Sequence, residues 1–88
     1  AVDKAETDMQ LAETLNASAP AAMAQWCAQN NAVLFHVSTD YVFDGTSSEA
    51  YGESATTHPI NTYGRTKLAG EEAIQKTGCA HFIFRTSW

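Results

Sequence analysis

A tyrosine and a lysine four positions apart are the residues of this sequence best suited to acid–base chemistry. They are Tyr63 and Lys67, in the stretch NTYGRTKLAGEEA. On a helix, residues at i and i+4 share one face with Cβ atoms about 5–6 Å apart, so the ammonium would stand beside the phenol. A neighbouring cation stabilises a phenolate and so favours proton transfer. The same spacing also occurs on ordinary solvated helix faces, so the surrounding elements must decide.

The composition predicts a folded domain that binds neither nucleic acid nor membranes. The 88 residues are 44% hydrophobic, and the net charge is −5 with only 5 Lys and Arg, which offers no basic patch for a phosphate backbone. No apolar run approaches the ~20 residues that a membrane span needs. The first residues, AVDKAETD, do not resemble a secretion signal, so we expect a cytoplasmic protein. Cys27 and Cys79 have no C-x-x-C partner, which predicts reduced thiols.

The first half of the chain predicts a helix and then a strand. Apolar residues at helical intervals indicate a helix from Thr7 to about Asn30. Pro20 lacks the N–H that would bond the carbonyl of Asn16, so we expect a bend there and a free Asn16 carbonyl. The apolar run Ala32 to Ser38 predicts a strand covered on both faces.

The second half repeats this order. Asp44 to Thr57 is rich in Gly, Ser, Thr and Glu and predicts a long surface excursion. A helix is expected from Asn61–Tyr63 to about Lys76, with Gly78 as its C-cap. His81 to Trp88 predicts a second buried strand. The order helix, strand, helix, strand predicts parallel strands in part of a doubly wound, Rossmann-like α/β sheet.

Such a sheet brings the candidate residues together. Ligands of open parallel sheets bind beyond the carboxyl ends of the strands, where helices also begin. Three groups of residues are expected to meet at that edge: Ser38-Thr39-Asp40, Tyr63 with Lys67, and Thr86-Ser87-Trp88. We therefore interpret the Tyr63 and Lys67 pair as part of a site rather than as a surface pair.

Several stretches carry a family resemblance: AVDKAE, STDYVFDGT, YGRTKLAGEEA and FRTSW, in this order. On these the chain resembles the extended short-chain dehydrogenases/reductases, and within them the dTDP-4-dehydrorhamnose reductase family. The resemblance runs from the first residue to the last. It implies that residues 1–88 form the central, catalytic part of a nicotinamide-binding Rossmann-like domain, without the family's Gly-rich phosphate-binding turn or its C-terminal substrate domain.

The resemblance implies roles for individual residues. Tyr63 would be the catalytic acid and a cofactor-binding residue, and Lys67 would assist its ionisation and bind the nicotinamide ribose. Thr39 would hydrogen-bond the substrate carbonyl, and the backbone carbonyl of Asn16 would hold a water in the proton relay. The same resemblance implies that Asp40, together with the C-terminal tryptophan Trp88, contacts the sugar nucleotide.

The implied reaction is reduction of the C4 keto group of dTDP-4-dehydro-6-deoxy-L-mannose to dTDP-L-rhamnose. The hydride donor would be NADPH or NADH, and a homodimer is an open option. Three alternatives remain: another sugar-nucleotide reductase or epimerase, a regulatory subunit of the methionine adenosyltransferase type, and an inactive remnant. A synthetase as pull-down partner would indicate the regulatory subunit, and broad or absent thermal unfolding of this piece alone would indicate the remnant.

Other polar residues receive structural interpretations. His36 lies in an apolar strand and is expected to be a core histidine with a hydrogen-bond partner, and His58 a loop residue. No metal-ligand spacing occurs, so no metal site is expected. The pair Glu71-Glu72 predicts a solvated helix face. Arg85 would need a buried carboxylate, which the sequence does not identify.

Overall fold

The computed structural model describes residues 2–43, 57 and 59–86. A π-helical turn, Thr14–Ser18, lies between two of the helices, and a 3-10 turn, Asp40–Val42, follows the first strand. The helices and strands are, in order, α1 Val2–Thr7, α2 Met9–Glu13, α3 Ala19–Asn30, β1 Val33–Thr39, α4 Thr62–Thr77 and β2 Ala80–Thr86. Most of the predicted surface excursion over 44–57 lies outside the described residues.

The helical region at the start of the chain begins earlier than predicted and is divided. Helix already starts at Val2 rather than at Thr7, and Asp8 interrupts it. The carboxylate of Asp8 accepts the N–H of Leu11 at 3.0 Å and so caps α2. The break is therefore a new helix N-terminus, and it turns α1 into a separate short element.

Around Pro20, where the sequence predicts a bend, the structure has a π-helical turn. Pro20 stands in the first turn of α3, directly after this turn. Because proline has no N–H, the ordinary bond to the Asn16 carbonyl cannot form. The chain accommodates one extra residue instead, since the N–H of Ala19 bonds the carbonyl of Thr14. Such π-helical turns often lie at functional sites.

The two strands pair in parallel and in register from Val33 with Ala80 to Thr39 with Thr86. Helix α4 is the connection between them. The prediction of an α/β chain with the order helix, strand, helix, strand is therefore confirmed. The carboxyl ends of both strands lie at the same edge of the sheet, as expected for a ligand-binding edge.

The prediction that β1 is covered on both faces is wrong for the described residues. Phe35 on β1 is 68% exposed, and Phe82 on β2 is 54% exposed with its ring centroid 5.2 Å from that of Phe35. The alternate residues Leu34 and Ile83 pack instead against the core formed by Ala24, Cys27, Ile74 and Cys79. The reason is that α3 and α4, which supply three of these four core residues, both pack on one face of the sheet.

Helix α4 has the boundaries that its sequence predicts, to within one residue. Asn61 caps its start by accepting the N–H of Gly64 at 2.7 Å. Gly78 ends it in the left-handed conformation with φ 74°, which a residue without a Cβ adopts at little cost. Among the described residues, no helix has the length and apolarity needed to cross a bilayer, and no group of three or more His, Cys, Asp or Glu could hold a metal ion.

Candidate active site

Tyr63 lies in the first turn of α4, next to the 3-10 turn that follows β1. Its half-buried ring packs edge to face on the ring of Tyr41, with centroids 5.7 Å apart and planes at 82°. This is the geometry that aromatic pairs prefer, because the positive edge of one ring meets the negative face of the other. The contact fixes the Tyr63 ring against the carboxyl end of β1.

Thr39 is the last residue of β1 and is fully buried. Its hydroxyl oxygen accepts the N–H of Tyr41 at 3.2 Å. A hydroxyl that accepts one hydrogen bond still has its own proton to donate, which suits a group that would bind a carbonyl oxygen. Since Thr39 has no contact with solvent, a substrate oxygen can reach it only after a neighbouring group moves.

Lys67 follows Tyr63 by one turn of α4 and points to the end of the same strand. Its ammonium Nζ donates to the carbonyl of Val37 at 2.8 Å. Burial lowers the pKa of Lys67 from its usual 10.5, and the negative charge of Glu71, one turn further along α4, partly opposes this. The ammonium is thus partly desolvated at the sheet edge where parallel α/β proteins bind ligands.

Asn16 lies at the centre of the π-helical turn and contacts α4 through both its side chain and its backbone. The side-chain amide donates to the hydroxyl of Thr66 at 3.1 Å, and that hydroxyl donates to the carbonyl of Tyr63, also at 3.1 Å. The backbone carbonyl of Asn16 faces Gly70, where an added Cβ would lie 2.0 Å from the oxygen. The turn can approach α4 this closely only because position 70 has no side chain.

The start of α4 has a second anchor in Glu6 of α1. One carboxylate oxygen of Glu6 accepts the N–H of Thr62 at 2.6 Å, and the other accepts its hydroxyl at 3.2 Å. Arg65 also donates to that hydroxyl, at 2.9 Å. A carboxylate is favourable at a helix N-terminus because the unpaired N–H groups carry partial positive charge. Glu6 thereby fixes the residue that precedes Tyr63.

Tyr63 and Asn16 also share a cleft between α4 and the first helices. Its volume is about 140 Å³. The residues that line it are Ala5, Asp8, Leu11, Ala12, Leu15, Asn16 and Tyr63. Two of the predicted site residues thus border the same space, on the side of Tyr63 where α1 and α2 lie.

The structure therefore brings most of the predicted residues to one place. Tyr41 connects Thr39 to Tyr63, and Thr66 connects Asn16 to Tyr63. Lys67 is hydrogen-bonded to the end of β1. Asp40 opens the 3-10 turn directly after Thr39, but its side chain lies outside the described residues. Trp88 lies wholly outside them.

The solvated face expected at Glu71 and Glu72 is correct for only one of the two. Glu72 is exposed, but Glu71 is 1% exposed and pairs with Arg85, with a shortest contact of 2.6 Å. Arg85 thus has the buried carboxylate that the sequence did not identify. Sequence reasoning missed Glu71 and also Glu6, because no local pattern marks either residue as buried or paired. The one available signal was that Glu6 lies in AVDKAE and Glu71 in YGRTKLAGEEA, two of the stretches that carry the family resemblance.

The sequence predicts that the ring of His36 is hydrogen-bonded, and this is wrong for one of its two nitrogens. Its Nε2 is buried and has no hydrogen-bond partner in the described part of the chain. The burial of the ring, and then the positive charge of Lys67, lower the pKa of His36 from 6.5, although Glu71 acts in the opposite direction. The strand faces α4 here, and two charged groups of that helix, Lys67 and Glu71, act on the imidazole.

We expect this histidine to make the stability of the protein depend on pH. Because its pKa is lower in the folded than in the unfolded state, the unfolded state binds more protons as the pH falls below 6.5. The free energy of unfolding should therefore decrease between neutral pH and about pH 5. Urea unfolding at both pH values should show a smaller decrease in His36→Gln than in the wild type or in a His81→Gln control. An equal decrease in all three would contradict the assignment.

Several known proteins are similar to this chain. A family model described as the RmlD substrate binding domain matches residues 1–88. The dTDP-4-dehydrorhamnose reductase of Salmonella typhimurium is 50% identical over the whole chain, and that of Escherichia coli K12 is 47% identical. A dTDP-4-keto-6-deoxy-D-glucose reductase of Streptomyces niveus is 49% identical over 81% of the chain.

Solved structures agree with these sequence matches. The dTDP-4-dehydrorhamnose reductase of Bacillus anthracis, solved in complex with NADP, superposes on the whole chain with a TM-score of 0.96 and 41% identity. The chain covers 31% of that protein. The corresponding protein of Clostridium acetobutylicum gives a TM-score of 0.96 at 39% identity. The chain spans 29% of the length of the Salmonella and Escherichia coli relatives. Because the family model covers the chain from end to end, the chain belongs to the RmlD substrate binding domain family.

Proposed function

We propose that this chain is the catalytic part of a reductase that converts dTDP-4-dehydro-6-deoxy-L-mannose to dTDP-L-rhamnose. The observation that carries the proposal is the position of Tyr63 and Lys67 on one turn of α4, beside the carboxyl end of β1. The names of the relatives that match the whole chain support the same reaction. The reaction needs a proton donor for the oxygen at C4 and a hydride donor for the carbon.

Tyr63 is the proposed proton donor. As C4 is reduced, its carbonyl oxygen becomes an alkoxide, and the phenol of Tyr63 gives this oxygen its proton. The Thr39 hydroxyl, which already accepts the Tyr41 N–H, donates to the same oxygen and stabilises the developing negative charge. General acid catalysis of this kind contributes about 10²–10⁴-fold to the rate. We assign the contacts to the sugar nucleotide to Asp40 and Trp88 on resemblance alone.

Lys67 is the residue that would hold the nicotinamide cofactor. Within the described residues its ammonium bonds one acceptor, the Val37 carbonyl, and an ammonium has three donors. Donors remain for the ribose hydroxyls, at the sheet edge where such cofactors bind. A reduced nicotinamide, when bound, supplies the hydride to C4. NADPH is the cofactor to test first, because the similar Bacillus anthracis protein was solved with NADP.

Asn16 is the proposed end of the proton relay. Pro20 cannot donate to its carbonyl, which leaves that oxygen without its ordinary helical partner. The carbonyl faces α4 at Gly70, within one turn of Lys67. We infer that a water held by this carbonyl passes protons to Lys67 and from there to the phenolate of Tyr63 after each turnover.

The test is the oxidation of NADPH by the full-length protein supplied with dTDP-4-dehydro-6-deoxy-L-mannose. We expect loss of reduced-nicotinamide absorbance only when the sugar nucleotide is present, with dTDP-L-rhamnose as the product by mass spectrometry and NMR. A folded protein that binds NADPH without turning over any 4-keto sugar nucleotide would contradict an enzymatic role. It would favour the regulatory-subunit alternative, to be followed by purification with its partner.

A second candidate reaction is supported by the Streptomyces niveus relative. That protein is named for reduction of the 4-keto-6-deoxy-D-glucose compound. Both reactions reduce a ketone at C4 of a dTDP-linked sugar, so Tyr63, Lys67 and Thr39 would act alike in both. Parallel assays with the two sugar nucleotides at equal concentration distinguish them. A higher kcat/KM for the D-glucose derivative would replace the proposed substrate but leave the chemistry of the site unchanged.

A further inference from the structure

Glu71 is a buried carboxylate with a dedicated partner on the neighbouring strand. It lies on α4 and is 1% exposed. Arg85 on β2 donates to it from Nε at 3.2 and 3.1 Å to the two carboxylate oxygens, and from a terminal nitrogen at 2.6 Å to one of them. Three charge-assisted contacts from one guanidinium fix both the distance and the orientation of the two groups.

The guanidinium of Arg85 also reaches the segment that follows β1. Its central carbon lies 5.2 Å from the centroid of the Phe43 ring, a cation–π distance. Phe43 is buried and directly follows the 3-10 turn that begins after Thr39. The contacts therefore run without a break from α4, through the end of β2, to the segment after Thr39.

Stability alone is a weak reason for this arrangement. Such an ion pair gains little over apolar side chains of similar volume, because Glu71 must leave water almost completely and Arg85, with 24% of its side chain exposed, must do so in part. What the pair supplies is a defined geometry, since the planar guanidinium holds the carboxylate in one orientation. Glu71 also lies one turn from Lys67, and its negative charge favours the charged ammonium of that residue.

We propose that Glu71 is a positioning residue for the reduction: through Arg85 and Phe43 it holds the segment next to Thr39 in register with the helix that carries Tyr63. The inference rests on the proposed function, because it concerns the same site. Glu71 acts through other residues and contacts no reacting atom. Its role is to hold the Thr39 end of β1 at a fixed position relative to the start of α4.

The experiment compares Glu71→Gln with Glu72→Gln in the full-length protein. The two changes are chemically identical and adjacent on α4, but only the first removes a buried charge. At a temperature well below thermal unfolding, we expect Glu71→Gln to lower kcat by about 10–100-fold, since a displacement near 1 Å can cost about 10² in rate. The dissociation constant for NADPH should stay within about twofold of wild type, and Glu72→Gln should behave as wild type.

A double-mutant cycle separates positioning from general destabilisation. If Glu71 and Arg85 act as a unit, the double variant Glu71→Gln/Arg85→Gln should have about the same kcat as the single variant with the lower kcat. Arg85→Lys keeps the positive charge but loses the planar fork, and we expect an intermediate kcat. Arg85→Lys also tests the inference if Glu71→Gln does not fold.

Two results would overturn the inference. One is a wild-type kcat in folded Glu71→Gln or Arg85→Lys, even with a lowered unfolding temperature, because the pair would then serve stability only. The other is a purely additive cycle. Absence of turnover in the wild type would overturn the proposed function and this inference together, whereas normal turnover in the wild type and in both variants would overturn this inference alone.

Discussion

Replacing Tyr63 with phenylalanine in the full-length protein is expected to lower kcat by about 10²–10⁴-fold, the usual contribution of a positioned general acid. The change removes the hydroxyl and its proton but retains the ring. The edge-to-face contact with Tyr41, at 5.7 Å between centroids, can therefore persist, and the backbone of α4 should stay in place. NADPH should still bind, because Lys67, the proposed contact to its ribose, is unchanged.

The measurement is steady-state NADPH oxidation, with cofactor affinity determined separately by fluorescence titration. Tyr41→Phe is the matched control, since it removes a hydroxyl from the other member of the same aromatic pair. We expect it to retain most of the turnover. Substantial turnover in Tyr63→Phe, or an equal loss in both variants, would mean that the phenol of Tyr63 is not the proton donor.

Gly70→Ala is expected to have the next largest effect, a loss of about 10²-fold in kcat. In an isolated helix this change would be favourable by up to about 1 kcal/mol, because alanine has the higher helix propensity. Here the new Cβ would lie 2.0 Å from the carbonyl oxygen of Asn16. The π-helical turn must then move away from α4, and with it the hydrogen bond from Asn16 to Thr66.

Gly78→Ala is the control for this prediction. A Cβ at Gly78 meets nothing within 4 Å, but the residue has φ 74°, so alanine there costs stability through backbone strain alone. We expect Gly78→Ala to lower the unfolding temperature with little change in kcat, and Gly70→Ala to lower kcat in a protein that remains folded by circular dichroism. If kcat in Gly70→Ala equals that of the wild type, close contact between Asn16 and α4 is not needed for catalysis.

The order of elements could be read from the sequence because its signals are local. Asn61 and Gly78 each mark an end of α4 through their own side chain or its absence. The missing N–H of Pro20 marks an irregularity in the first helical region, but not that it takes the form of a π-helical turn. The pairing of the strands then follows from the helix between them. Each inference needed only residues that are close along the chain.

The parts of the site that escaped prediction depend on contacts between distant residues. Glu71 and Glu72 are the same amino acid, and only the rotation of α4 against the sheet decides which one is buried. Glu6 reaches Thr62 across 56 positions of the chain. The sequence predicts that both faces of β1 are covered, because apolar runs indicate buried strands. Such runs do not indicate which part of a protein covers a strand, and Phe35 on β1 is exposed here.

The close contacts of α4 have a consequence for how the site can move. Gly64 meets the carbonyl of Tyr41, where an added Cβ would lie 2.2 Å from the oxygen, and Gly70 meets that of Asn16. Rotation or sliding of α4 by one residue would bring a side chain against backbone at both points. These contacts therefore oppose rotation or sliding of α4 against the π-helical turn and against the segment after β1. A path to the buried hydroxyl of Thr39 that leaves these contacts intact must therefore involve other side chains or segments.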